Sequence, residues 1–105
     1  MNVTVNSQVL AQELRIINKI VPTKPALPIL MNVLLRAEDD RLHFYGTDQE
    51  IGIRTSCAAD ITDYGTVTLP AKRLLDMVEQ LPDGDVELFA RRHRLGWTCL
   101  GNELP

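Results

Sequence analysis

A chain of 105 residues with 45% hydrophobic and 24% charged composition can bury roughly two thirds of its unfolded surface, enough for one globular domain with a modest core. No apolar run approaches the ~20 residues of a membrane span, and the amino terminus MNVTVNSQ has neither the basic head nor the apolar stretch of a secretory leader, so a cytoplasmic protein with no membrane partner is expected. The net charge of −3 excludes coating of nucleic acid by bulk attraction, so any contact with phosphates needs cations gathered on one surface.

The period of the hydrophobic pattern changes several times along the chain. Val3 and Val5 alternate with Asn2, Thr4 and Asn6, the signature of a short strand. Ser7 is placed as an N-cap for a helix over Gln8 to Val21. Leu10, Leu14, Ile17 and Val21 form one stripe of that helix, flanked by Ile16 and Ile20; Gln8, Gln12, Arg15 and Lys19 form the opposite one. That polar stripe contains no acid, although exposed helix faces usually mix signs.

Pro22, Pro25 and Pro28 fix φ and remove backbone donors, which predicts an extended connector carrying Lys24. Three strands then follow as an antiparallel meander: Ile29 to Ala37, Arg41 to Tyr45 after a turn at Glu38-Asp39-Asp40, and Glu50 to Ala58 after a turn at Gly46-Thr47-Asp48. Tyr64-Gly65 marks a turn, Thr66 to Leu69 a strand, and Pro70 a helix start. Ala71 to Leu81 places Leu74, Leu75, Met77, Val78 and Leu81 on one helical face and Lys72, Arg73, Asp76 and Gln80 on the other. Pro82-Asp83-Gly84 stops it before a strand over Asp85 to Ala90. The segment His93 to Leu100, with Trp97 half buried, has the composition of one more strand.

Each half therefore reads strand, helix, strands, offset by about 64 residues, a repeat of architecture without residue identity. Two such units predict an α+β domain with both helices on one face of a curved antiparallel sheet. Cys57 and Cys99 have no CxxC spacing and are expected to be reduced, buried thiols.

The segments MNVTVNSQVLAQEL, TKPALPILMNVLL, YGTDQEIGI and GTVTLPAKRLLDMVEQLPDGDVEL, in that order, resemble the first domain of the bacterial DNA polymerase III beta subunit, the sliding-clamp family. The resemblance runs from Met1 to about Leu88. It implies the DNA clamp fold, two β-α-β-β-β units, and a ring around duplex DNA built from three similar domains per subunit, with helices lining the hole. It also implies a processivity factor with no cofactor and no active site of its own. On the positions that match, the expected DNA contacts are Lys24, Arg15, Lys19, Gln12, Lys72 and Arg73, with Asp76 and Glu79 diluting the second helix.

After Ala90 the chain reads RRHRLGWTCLGNELP where the family shows further strands and a link to a second domain. Residues 91–105 are thus expected to depart from the family pattern, the last strand to be missing or disguised, and residues 1–105 to form one clamp domain incomplete at its carboxyl end. The family forms a ring-shaped homodimer that recruits the polymerase III holoenzyme and the clamp loader; those partners are expected only through a full-length clamp, and ring closure is not expected of this chain alone. Arg91, Arg92, His93 and Arg94 are read as a solvated turn.

Two other readings compete. One is a protein-interaction module using an unpaired sheet edge. The other is a small enzyme whose Asp39, Asp40, Asp48 and Glu50 gather a divalent metal near His43.

Overall fold

The computed structural model describes residues 1–21, 31–48, 50–93 and 96–100. Eight strands and two helices follow one another as β1 (Asn2–Asn6), α1 (Ser7–Asn18), β2 (Asn32–Glu38), β3 (Arg41–Thr47), β4 (Gly52–Ala58), β5 (Asp60–Asp63), β6 (Gly65–Pro70), α2 (Ala71–Val78), β7 (Asp85–His93) and β8 (Gly96–Leu100). The proline connector with Lys24, Arg94 and the side chains of Trp97 and Cys99 lie outside the described residues.

The strands divide into two four-stranded antiparallel sheets, ordered β5-β1-β7-β8 and β4-β3-β2-β6. The expected α+β fold with two helices packed on antiparallel strands holds, but the strands form two sheets in place of the expected single curved sheet. Each half lends its first strand to the other half's sheet: β6 pairs with β2, and β1 pairs with β7. The helix after each donated strand therefore emerges over the shared core. The final pairing of β7 with β8 runs from Phe89 opposite Leu100 to His93 opposite Gly96; the last strand is thus Gly96–Leu100 and not His93 to Leu100, and Arg91, Arg92 and His93, read as part of a turn, continue the backbone of β7.

Inward-facing residues repeat with period two along every central strand, as burial of one sheet face requires. Val33, Leu35 and Ala37 of β2 stand beside Leu42 and Phe44 of β3 and Val67 and Leu69 of β6, while Val3 and Val5 of β1 stand beside Leu88 and Val86 of β7. Onto these rows α1 lowers Leu10, Leu14 and Ile17, and α2 lowers Ala71, Leu74, Leu75 and Val78; all are buried. Cys57 is buried in the same cluster, and burial, reinforced by the Glu13 carboxylate, pushes its thiol up to about 11. It is a neutral packing group at physiological pH.

Four local expectations need correction. Asn6, not Ser7, caps α1: its Oδ1 accepts from the amides of Gln8 at 2.9 Å and Val9 at 3.1 Å. Ser7 is instead buried, its amide donating to the Gly84 carbonyl at 2.8 Å and its hydroxyl to the Pro82 carbonyl at 2.9 Å. The helices stop at Asn18 and Val78, short of Val21 and Leu81, each followed by a tightened turn in which the Ile20 amide reaches Ile17 and the Leu81 amide reaches Val78. Strand β5 has only Ile61 as an apolar residue and pairs on one side alone, with β1, so it leaves no alternating pattern to read.

The fourth correction concerns Gly46, which is no turn residue. It lies inside β3 facing the core, where an added Cβ would stand 3.0 Å from Ile17 Cγ2 and 3.1 Å from Val21 Cγ2. Its missing side chain lets the end of α1 settle on the strand. The turn proper starts at Asp48, whose Oδ1 accepts from the amides of Ile51 at 2.8 Å and Glu50 at 3.0 Å. The β2–β3 hairpin turns through Asp39 and Asp40, both at positive φ (56° and 58°), the pair of left-handed residues that a two-residue turn needs to match strand twist.

Two measurements follow from this packing. Gly46→Val should cost about 1–3 kcal/mol by overpacking under α1, read as a lowered urea midpoint; an unchanged midpoint would show that α1 does not rest on β3. The Ile51 amide, and then that of Glu50, hold the Asp48 carboxyl below its ordinary 3.8. A depressed carboxylate stabilises the fold above its unfolded value and loses that contribution as pH falls through the folded one. Asp48→Ala should therefore be less stable than the parent at neutral pH, and the gap should close in strong acid; a gap of equal size at both would contradict this.

Candidate nucleic-acid interface

The two helices lie side by side and antiparallel on the face opposite the strands' solvent side. Asn18, the last residue of α1, donates through Nδ2 to its own helix at Leu14 O (2.8 Å) and across to Ala71 O (3.1 Å), the first residue of α2. At the other end Ser7, opening α1, is tied to the loop that follows α2. The helices begin 64 residues apart, at Ser7 and Ala71 (71 − 7). Arg15 and Glu79 share that offset and meet, Nε to Oε2 at 3.0 Å. This ion pair therefore joins equivalent positions of the two halves.

The polar stripe of α1 is exposed where expected: Gln8, Gln12, Arg15 and Lys19 face solvent, joined by Val9. The exposed stripe of α2 carries Lys72, Arg73, Asp76, Glu79 and Gln80. Gln12, Arg15, Lys19, Lys72 and Arg73 thus belong to one continuous helical surface, whereas Lys24 lies outside the described residues. Folding changes the charge of this surface in a way the linear stripe conceals. The acid-free face of α1 receives Glu79 from α2, and Lys72 Nζ holds Asp76 Oδ1 at 2.7 Å one turn on. That hydrogen bond, then the charge of Asp76, raises the Lys72 pKa. Among the described residues Lys19 and Arg73 have no ion-pair partner.

Lys72 and Arg73 sit in the first turn of α2, which has no acid and no side-chain cap, Pro70 standing at the N-cap. Cations there oppose the helix dipole. The residues that sequence reasoning undervalued are Asn18, which locks the helices together, and Glu79 as the direct partner of Arg15. Neither has a local signal, because each acts across more than fifty residues of chain.

The carboxylates proposed for a metal do not converge. Asp39 and Asp40 are at one end of β3 and Asp48 and Glu50 beyond the other, roughly 20 Å apart at the rise of an extended strand. Asp48 is occupied with backbone amides. Among the described residues no group of three or more ligating side chains could hold a metal ion, and no helix is long and apolar enough to cross a membrane.

Comparison with known proteins agrees with this geometry. The family model described as DNA polymerase III beta subunit, N-terminal domain, matches residues 1–102. The beta sliding clamp of Synechocystis is 42% identical over 81 residues, covering 75% of this chain and 21% of that protein. The beta sliding clamp homolog GriR of Streptomyces muensis is 31% identical over 102 residues, 97% of this chain and 27% of its own length. Among solved structures, Caulobacter crescentus pol III beta superposes with a TM-score of 0.88 at 33% identity, over 99% of this chain and 28% of that one. The chain spans about a quarter of the length of the relatives it matches. Two antiparallel sheets under a shared pair of helices, and a family match over nearly every residue, make this chain a member of the DNA polymerase III beta subunit family, matching its N-terminal domain.

Proposed function

We propose that this domain is one segment of a DNA sliding clamp, presenting α1 and α2 to duplex DNA without reading its sequence. The observation that carries the reading is the single helical surface on which Gln12, Arg15, Lys19, Lys72 and Arg73 all face solvent while the apolar stripes are buried on the sheets. Flexible cations and amides on helices position a phosphate backbone but offer no fixed donor pattern for base edges. Half of the four helix cations are already matched by Glu79 and Asp76, which keeps the hold weak and the partner free to slide. Lys24, on the connector, adds one cation to the same task.

In a complete subunit such a segment encircles the duplex and confers processivity on the replicative polymerase in the cytoplasm. Polymerase III holoenzyme and clamp loader then act on the full-length ring, a homodimer, and the domain contributes topology and contact, with no catalysis of its own. Within that assembly the domain occupies residues 1–105 and depends on further domains for closure.

Binding of a short blunt duplex at low salt tests this reading. Lys19 and Arg73, the unpaired helix-surface cations among the described residues, together with Lys24 release few counterions, so affinity should be weak and its log–log salt slope roughly −2 to −3. Joint replacement Lys19→Glu and Arg73→Glu should abolish binding. Arg73→Glu alone should leave thermal stability equal or raised by a few tenths of a kcal/mol, roughly, because an acid suits a helix start. Binding that survives the double replacement would remove the helices from the interface.

A further inference from the structure

The outer face of the β4-β3-β2-β6 sheet carries a second, unrelated feature. Its register stacks Arg54, Tyr45, Leu34 and Thr68 in one cross-strand row, with Ser56, His43, Arg36 and Thr66 in the next and Arg41 beside Glu38 in a third. Residues sharing such a row stand about 5 Å apart on one face. Three guanidinium groups therefore share this surface. Arg36 Nε donates to Thr66 Oγ1 at 3.4 Å and Arg41 Nε to Ser56 Oγ at 3.0 Å. The Arg54 guanidinium lies 5.5 Å from the centre of the Tyr45 ring.

These anchors are neutral. Among the described residues none of the three has an ion-pair partner, and the hydroxyls that hold Nε leave the terminal N–H groups of Arg36 and Arg41 unspent. Among the described side chains, those on the other sheet's outer face are acidic: Thr4 stands between Asp60 and Glu87, and Asp85 opposes Asn6. Ordinary solvated surfaces intersperse the two signs; here three arginines share their strand rows with one acid, Glu38, in a chain whose net charge is −3.

The floor between the cations is apolar and built. Tyr45 remains 37% exposed beside half-buried Leu34. Its ring lies across Gly52, where an added Cβ would come within 2.9 Å of the Tyr45 hydroxyl. The glycine thus lets the ring lie flat against the edge strand. Leu34, Arg36, His43, Tyr45 and Arg54 line one open cleft here, with Glu38 and Asp39 on its lining at the β2–β3 turn.

We propose that this outer cleft docks a short acidic peptide segment of a partner protein, carboxylates on Arg36 and Arg54 and an apolar side chain over Leu34 and Tyr45. Guanidinium forks match carboxylates in bidentate geometry. The acids at the turn favour a short ligand: a nucleic acid tracking along the strands would run its phosphates past Glu38 and Asp39, whereas a peptide with acids flanking an apolar pair ends before them. The site is on the opposite face from the helices and does not depend on the reading of that surface.

The test is fluorescence anisotropy of the 105-residue chain with a labelled peptide whose core is two glutamates, phenylalanine, leucine and two aspartates. Binding should be detectable at low salt and weakened at least about tenfold by R36E/R54E, whose residues are exposed and whose fold is checked by an unchanged circular dichroism spectrum. The K19E/R73E protein should bind the peptide like the parent. No peptide binding, or equal binding by R36E/R54E, would overturn the proposal. So would a short oligothymidylate that binds this face more tightly than the peptide, or self-association that R36E/R54E abolishes in the absence of peptide binding.

Discussion

The exchange of first strands between the two halves is the constraint from which the rest of the structure follows. Because β6 completes the sheet of β2, β3 and β4, and β1 lies within the sheet of β7 and β8, neither half can close its own core alone. Each helix leaves a strand embedded in the opposite sheet, so both helices must land over the common interior, antiparallel and in contact. The Arg15–Glu79 pair and the Asn18–Ala71 hydrogen bond are consequences of that placement. Exposed ion pairs of this kind contribute little to stability; apolar rows beneath the helices hold the arrangement.

The same topology sorts the surface into three electrical zones. Among the described side chains, the helical face bears cations that are half compensated by neighbouring acids, one outer sheet face shows Asp60, Asp85 and Glu87, and the other shows three arginines beside Glu38 over an aromatic floor. A chain of net charge −3 achieves this because strand alternation and helix periodicity decide which side chains share a face, independently of the total. Weak attraction on the helical side suits a partner that must move along the surface. Guanidinium groups held by hydroxyls on the outer side suit one that stays.

Much of this was legible in the residues themselves. Val3 and Val5, or Leu10, Leu14 and Ile17, announce their elements because burial of one face imposes a period, and that period survives in the sequence. The polar stripes of both helices were legible for the same reason. What was not legible acts through space. Glu79 reaches Arg15 only once the halves are assembled, so an apparently acid-free stripe turns out to carry an acid. Gly46 reads equally well as a turn residue or as room for a neighbour, since lack of a side chain serves both; only the approach of Ile17 and Val21 distinguishes them. Asn6 and Ser7 are both good caps, and the choice fell to Asn6 because Ser7 is drawn inward by the loop at Pro82 and Gly84.

On the proposed function, this domain helps to hold DNA by enclosure, its helices touching the duplex without gripping it. The decisive measurement is the residence time of a ring carrying this domain on a closed circular duplex, followed before and after the circle is cut at one site. Enclosure gives long residence on the closed circle and rapid loss from the ends once it is linear. Equal residence on both forms would mean that the helices grip, and would contradict it.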